Sequence, residues 1–439
     1  IIYPHEMLEP ILKTTYGIMI YQEQIMQVAR TMGGYSMGGA DLLRRAMGKK
    51  KHDVMAKEKV NFLAGAKEKD VTEDTANEVW ALMEKFASYG FNKCLPGDTE
   101  IIDGETGEMV RIEDAYFKRK KLSQTATLNT DTLKLTQGRV SQVMDNGIKP
   151  VYRLTTASGK EVEATANHTF YTFEGWKRLD QLAVDELLAT PRSIPIEGKE
   201  RWPEHEVIVL GNLLAEGNRC HPGSAYFYTQ DDAEKDAYVA AANAFSNVNC
   251  SVAVHKGTYS VYAKRIKRND PNGLVDWAKD LEIWGKNAHT KTIPHKAFRL
   301  PNAQIALLIA KMWEGDGHLN EVGRSLFYAT ASKKMAKQLQ HLLLRLGIVS
   351  RLRTVEFPYK EGRIGYQLFV TGRENIGLFA DKIAIHFLKD TDREKLDRII
   401  QASAKTYASK DVVPVGIREI VRQAKTNKNI TWKVMEKEA

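Results

Sequence analysis

The stretch Cys94-Leu95-Pro96-Gly97-Asp98-Thr99-Glu100-Ile101 constrains this chain more than any other. Before it, apolar residues recur at helical spacing. After it come short β-compatible runs broken by Gly, Asp and Ser. A chain that changes period so abruptly is expected to fold as separate modules, and 439 residues are enough for two to four. The residue at the boundary is a thiol. It is one of only three cysteines, with Cys220 and Cys250, so no disulfide framework is implied and a reducing, cytoplasmic setting fits. No apolar run reaches the roughly 18 residues of a membrane helix, so no membrane partner is expected. The formal net charge of +9 leans towards an acidic partner such as nucleic acid, although a lysine-rich solvated surface would give the same figure.

Residues 1–93 read as helical. Ile18, Gln22, Ile25, Met26 and Ala29 share one helix face, Gly33-Gly34 stops that helix, and Asp41–Met47 forms another that ends in Lys49-Lys50-Lys51. Three stretches are more specific than the pattern: Tyr16-Gly17-Ile18-Met19-Ile20-Tyr21-Gln22-Glu23-Gln24, Gly39–Lys50, and Phe86-Ala87-Ser88-Tyr89-Gly90-Phe91-Asn92-Lys93. They closely resemble the fingers of the bacterial DNA polymerase III alpha subunit over all of 1–93. The resemblance implies that Arg44, Arg45, Lys49 and Lys50 face phosphates of nucleotide and template, a role suited to cationic side chains. It also implies replisome partners for the full-length protein. The family continues Phe-Asn-Lys with Ser-His-Ala, whereas here Cys94 follows. Its metal-binding palm aspartates lie upstream of these residues, so polymerase activity is not expected of this chain alone.

Residues 94–195 read as an all-β module. Val151–Thr156 and Glu161–Thr165 flank the turn Ala157-Ser158-Gly159-Lys160, a hairpin pattern. A cysteine with a distant histidine is a candidate nucleophile pair, weak when taken alone. Cys94-Leu95-Pro96-Gly97-Asp98-Thr99, then Thr165-Ala166-Asn167-His168, Phe170 and Gly175-Trp176, together resemble the N-terminal half of an intein, the Hint β-fold. The chemistry follows from the residue types. The Cys94 thiol attacks the Lys93 carbonyl and converts the amide to a thioester. His168, whose ordinary pKa lies near neutrality, protonates the departing nitrogen. The Thr165 hydroxyl and backbone N–H groups are candidate oxyanion donors, each typically worth about 2.7–4 kcal/mol. Lys93–Cys94 is therefore the expected cleavage site, and splicing needs no cofactor.

Residues 196–395 contain two apolar helices ending in an acid and a glycine, at Glu216-Gly217 and, one hundred residues later (316 − 216), at Asp316-Gly317. Such a repeat implies duplication and a pseudo-two-fold arrangement. Gly211 and Ala215 share a face, which lets two helices approach and brings Glu216 and Asp316 together. Paired carboxylates can hold Mg²⁺ against a scissile phosphate. The pattern resembles the LAGLIDADG homing endonucleases, which commonly sit inside inteins. The resemblance implies cleavage of double-stranded DNA with Glu216 and Asp316 as metal ligands. It also implies catalytic help from Lys291, in Lys291-Thr292-Ile293-Pro294, with Lys389 as a possible counterpart in the second half. Lys311 stands where the family usually has glycine, so the helices are expected to splay there or the lysine to snorkel. Two basic hairpins are expected to read the major groove. One carries Lys264, Arg265, Lys267 and Arg268, the other Arg351 and Arg353.

Gly198–Pro203 reads as a linker, and 396–439 as a basic linker or DNA-contacting tail. No closing intein block with its terminal asparagine follows Asp411, so a missing C-terminal intein and polymerase portion is an expected partner. The fold class expected is thus multi-domain: α-helical fingers, an all-β Hint module, and an α/β LAGLIDADG endonuclease with pseudo-two-fold symmetry. The rival is a DNA-binding protein whose inserted modules are degenerate and process nothing.

Overall fold

The computed structural model describes residues 3–19, 21–48, 52–87, 94–118, 120–140, 142–218, 223–356, 362–403, 421–423, 425–426 and 431. The first segment is helical, with α1 (Glu9–Leu12), α2 (Gln22–Thr31), α3 (Met37–Gly48), α4 (His52–Lys67) and α5 (Glu73–Ala87). Gly34 follows α2 with φ of 70°, a left-handed conformation that glycine adopts without a Cβ clash. The helices enclose a core that includes Leu12, Val28, Met32, Leu43, Phe62, Trp80 and Met83. The polar Gln24 enters this core because its amide donates to Thr15 Oγ1 at 2.7 Å and to the Ile11 carbonyl at 3.2 Å.

From Cys94 onward the period switches to two. The antiparallel pairs are β1 (Glu100–Ile102) with β2 (Met109–Arg111), β3 (Gln124–Asn129) with β4 (Lys134–Arg139), β5 (Tyr152–Thr155) with β6 (Glu161–Ala164), and β7 (Thr169–Thr172) with β8 (Gly175–Arg178). One short helix, α6 (Ile112–Phe117), interrupts them. The β5–β6 register pairs Leu154 with Val162, as the hairpin pattern requires. Strands this short bury little by themselves. Ile102, Ile194 and Ile196 form a small cluster completed by Leu344, which belongs to the next module. Polar contacts reinforce that lean. The Leu352 N–H and the Gln340 amide both donate to the Ser158 carbonyl, at 2.9 and 3.1 Å. Glu161 pairs with Lys333 and Lys337, and these two ammonium groups hold its carboxyl down at about 2.

The stretch expected as a linker is strapped down instead. The Glu200 N–H donates to the Arg299 carbonyl, and Trp202 exchanges two hydrogen bonds with the Gln304 side chain. Such backbone groups become part of the fold because they find protein partners rather than water.

The next residues build the same unit twice. The first is α7 (Glu204–Glu216), β9 (Gly217–Asn218), β10 (Tyr226–Thr229), α8 (Asp232–Asn243), β11 (Val248–His255), β12 (Thr258–Arg265) and α9 (Gly273–Asp280). The second is α10 (Asn302–Asp316), β13 (Gly317–Asn320), β14 (Ser325–Thr330), α11 (Lys333–Arg345), β15 (Ser350–Glu356), β16 (Ile364–Thr371) and α12 (Arg373–Lys382). The two sheets have the same strand order, β11-β12-β10-β9 and β15-β16-β14-β13. α7 is apolar all round because it is buried on two sides. Val209 and Leu213 enter the first unit's core, while Val207, Leu210 and Leu214 enter the second's. α13 (Asp390–Ser403) crosses the boundary expected at residue 396, with Leu396 and Ile399 buried in that second core. Farther along the tail, 421–423 and 425–426 are helical, and apart from residue 431 the rest lies outside the described residues. No described helix is long and apolar enough to cross a membrane.

At the α7–α10 crossing the expectations for Lys311 need correction. It neither splays the helices nor reaches water. It is 4% exposed, and its ammonium donates to Glu314 Oε2 at 2.7 Å and to the His386 carbonyl at 2.9 Å. Gly211 on the facing helix supplies the room. A Cβ there would stand 2.5 Å from Lys311 Cβ and 3.0 Å from the Leu308 carbonyl oxygen. Gly315 does the same beside Ala215. Gly211→Ala is therefore expected to overpack the crossing, destabilising this module by about 1–3 kcal/mol. Calorimetry should show its unfolding midpoint falling.

Candidate active sites

Cys94 leads into the β-module and is pinned by a residue 71 positions away. Its N–H donates to Thr165 Oγ1 at 3.0 Å. Its carbonyl accepts from the Thr165 N–H at 3.1 Å and from the Thr165 hydroxyl at 3.4 Å. Thr165 directly follows β6 and is 5% exposed, so water does not compete for these groups. The same turn carries His168, whose N–H donates to the Thr165 carbonyl at 2.9 Å and whose ring lies 5.5 Å from that of Phe170. Sequence reasoning offered the Thr165 hydroxyl to the oxyanion. The described geometry sets it on the nitrogen that would depart.

One residue at this junction was not singled out from the sequence. Asn146 donates from Nδ2 to Cys94 Sγ at 3.4 Å. In sequence it belongs to Asp145-Asn146-Gly147, which reads as a turn and nothing more. Burial pushes the Cys94 thiol up from its ordinary value. The Asn146 donor, Lys149 and Arg44 oppose that shift, and Glu23 adds to it.

The second site lies at the paired ends of α7 and α10. Lys291 is 7% exposed and ties them together. Its ammonium donates to the Leu214 carbonyl at 2.9 Å, to the Ala215 carbonyl at 3.3 Å and to Asp316 Oδ2 at 3.0 Å. The Tyr328 hydroxyl, also not singled out from the sequence, donates to the same oxygen at 3.2 Å. Desolvation raises the Asp316 carboxyl, against the pull of Lys291 and Tyr328. Glu216 keeps contact with solvent, yet its carboxyl is also raised, first by partial desolvation and then by the Asp316 charge. Two like charges converge here. Among the described residues no group of three or more His, Cys, Asp or Glu could hold a metal by itself. An ion at this pair would complete its shell with further oxygens, from backbone carbonyls, phosphate or water. Lys389 is elsewhere, donating to Glu234 Oε1 at 2.7 Å.

Both expected hairpins form. On the first, Tyr226 stacks on Tyr262 at 5.5 Å, and the Lys264 ammonium lies 4.8 Å from the Tyr262 ring. Lys264, Arg265, Lys267 and Arg268 are exposed. On the second, exposed Arg353 lies 4.9 Å from the Phe369 ring, while Arg351 is half-buried. Of the finger cations, Arg44 is 8% exposed and turned onto Asp41 and Asn146. Arg45 lies on α3, and Lys49, Lys50 and Lys93 lie outside the described residues.

Known proteins resemble this chain in blocks. Residues 1–70 match the bacterial DNA polymerase III alpha subunit finger domain, and residues 303–384 match a LAGLIDADG-like domain. The DNA polymerase III subunit alpha of Caulobacter vibrioides is 56% identical over 129 residues, 29% of this chain and 11% of that protein. The replicative DNA helicase DnaB of Synechocystis is 33% identical over 334 residues, 73% of this chain and 38% of that protein. The chain thus spans less than two-fifths of the curated relatives it matches. A solved DnaB intein from Synechocystis sp. PCC 6803 is 40% identical and covers 23% of this chain and 70% of its own, with a TM-score of 0.22. The endonuclease I-DmoI, solved in complex with DNA and Ca, covers 41% of this chain at 12% identity and a TM-score of 0.30.

Replacing Thr165 with valine leaves the half-buried Cys94 N–H without its acceptor, at a local cost of about 1–1.5 kcal/mol. Hydrogen exchange at the Cys94 amide is expected to quicken about tenfold or more in Thr165→Val. Exchange in the core helices α7 and α10 should be unchanged.

Proposed function

Because this chain is a DNA polymerase III alpha finger segment interrupted by an intein that carries a LAGLIDADG-like domain, we propose that it breaks its own Lys93–Cys94 bond and that the inserted domain cleaves double-stranded DNA. The observation that carries the first part is the clamp of Cys94 by Thr165. Holding both backbone groups of Cys94 fixes the residue that carries the nucleophile, and attack on the preceding carbonyl of the same chain is intramolecular. The sulfur adds to the Lys93 carbonyl carbon and the carbon–nitrogen bond breaks. His168 delivers the proton that the nitrogen needs, and the Thr165 hydroxyl holds that nitrogen in line. A C-terminal intein portion would supply the later steps. Ile148, Val151, Tyr152, Trp176 and Val184 are each exposed apolar residues that such a portion would cover. The reaction suits the bacterial cytoplasm, where the thiol stays reduced, and the replisome is the setting of the joined polymerase.

For the endonuclease, Glu216 and Asp316 would hold Mg²⁺. Two raised carboxyls beside each other fit a cation, which relieves both the desolvation and the mutual repulsion. The bound ion would supply Lewis-acid stabilisation of the phosphate. Lys291 keeps the two helix ends in register and places its charge at the same point. The hairpin cations and tyrosines would contact the DNA, with salt-sensitive affinity.

Incubating the full chain with a small thiol is expected to release a piece ending at Lys93. Cys94→Ala should abolish that release, and equal cleavage in the variant would refute the assignment. DNA spanning the uninterrupted Phe-Asn-Lys-Ser-His-Ala coding sequence is expected to be cut with Mg²⁺ and spared by Asp316→Asn. Failure of the wild type to cut would favour a degenerate DNA-binding insertion. Metal binding requires both acids ionised, and their pKa values lie above the ordinary range. Calorimetric affinity for Ca²⁺ should therefore rise with pH through that raised range and weaken as pH falls below it.

A further inference from the structure

The junction includes a side chain from outside the β-module. Asn146 Oδ1 accepts from Arg44 Nη1 at 3.2 Å, and Arg44 lies on α3 of the finger segment, 102 residues away. Arginine can only donate. Its approach therefore decides which end of the Asn146 amide faces which neighbour. The carbonyl oxygen turns to the guanidinium and the NH₂ turns to Cys94 Sγ. Arg44 itself is fixed, because Nε and Nη2 both donate to Asp41 Oδ1, at 3.0 and 2.9 Å. A reversed amide would set an oxygen lone pair against the sulfur and disfavour its thiolate.

We propose that Arg44 is a positioning residue for the acyl shift. From the folded finger helix it orients Asn146, whose amide then donates to the attacking sulfur. The first step of splicing is thus coupled to folding of the host segment. This rests on reading Cys94 as the acyl-shift nucleophile. In that step the thiol gives up its proton, sulfur bonds to the Lys93 carbonyl carbon, the carbon–nitrogen bond breaks, and the nitrogen takes a proton. The change is an isomerisation and needs no co-reactant. Among the described residues, the charged groups acting on the thiol are Lys149 from the β-module and Glu23 and Arg44 from the fingers. Lys149 and Arg44 favour the thiolate, and Glu23 opposes it. Two of the three belong to the host, so the same surface that seats the intein also tunes its nucleophile.

The test uses the full chain and two readouts. One is the pH midpoint of Cys94 alkylation by iodoacetamide, read peptide by peptide so that Cys220 and Cys250 are scored separately. The other is the rate of thiol-induced cleavage after Lys93. Arg44→Met is expected to raise the midpoint by about one pH unit and to slow cleavage about tenfold. Arg44→Lys, which restores a donor, should recover part of both. Asn146→Asp keeps a partner for Arg44 but replaces the donor to sulfur with a carboxylate. It should raise the midpoint at least as far. If Arg44→Met loses helical signal, Arg44→Leu with its helical signal retained carries the same expectation, and Asn146→Asp tests the donor to sulfur. A wild type that cleaves, with variants that match its midpoint and rate, overturns this inference alone. A wild type that never cleaves overturns the acyl-shift reading and this inference with it.

Discussion

The three hydrogen bonds between Cys94 and Thr165 are the constraint on which the junction depends. They close a 71-residue loop, and β1 to β6 lie within it. A half-buried amide and carbonyl left without partners lose these bonds at a cost of about 1 kcal/mol each, so the first residue of the β-module is pinned by a turn late in the same module. The pinning also sorts the work among the side chains. Thr165 occupies the backbone of Cys94 and leaves the sulfur to Asn146. The Cys94 sulfur is therefore linked to the finger segment through Asn146 and Arg44, while the Cys94 backbone is held within the β-module.

A second constraint of the same kind organises the repeated unit. Two helices must come close enough to bring Glu216 and Asp316 together, and only small residues at the crossing allow it. Gly211 and Gly315 provide the contact, each on one helix and each opposite a larger side chain. The asymmetry of the duplication is then tolerable. Lys311 can stand in one helix because Gly211 stands in the other, and because Glu314 receives the buried charge.

Much of this was legible in the sequence because it is local or periodic. The break at Cys94 shows as a change of period. The doubled helix shows as two acid–glycine endings, at Glu216-Gly217 and Asp316-Gly317, and the paired turn residues mark the hairpins. Thr165 and His168 were legible only jointly with Cys94, through the intein resemblance. What escaped was non-local. Asn146 sits in a turn-like tripeptide with no chemical signature, and only tertiary packing brings it to the sulfur. Arg44 reads as a phosphate contact from its family context, yet in the fold it turns inward to Asp41 and Asn146. Lys311 escaped because no pattern says that Glu314, one turn on, will be buried alongside it or that the His386 carbonyl will face it. Gly198–Pro203 has a linker's composition, but composition does not reveal the Gln304 side chain waiting to bind Trp202.

The central claim is that a thioester forms at Lys93 through the Cys94 sulfur. Treating the full chain with hydroxylamine and sequencing the released peptide by tandem mass spectrometry tests it most directly. The account predicts a hydroxamate on the carbonyl carbon of Lys93, formed only when Cys94 is present. An intact Lys93–Cys94 bond after prolonged treatment, or a hydroxamate that also forms in Cys94→Ala, would contradict it.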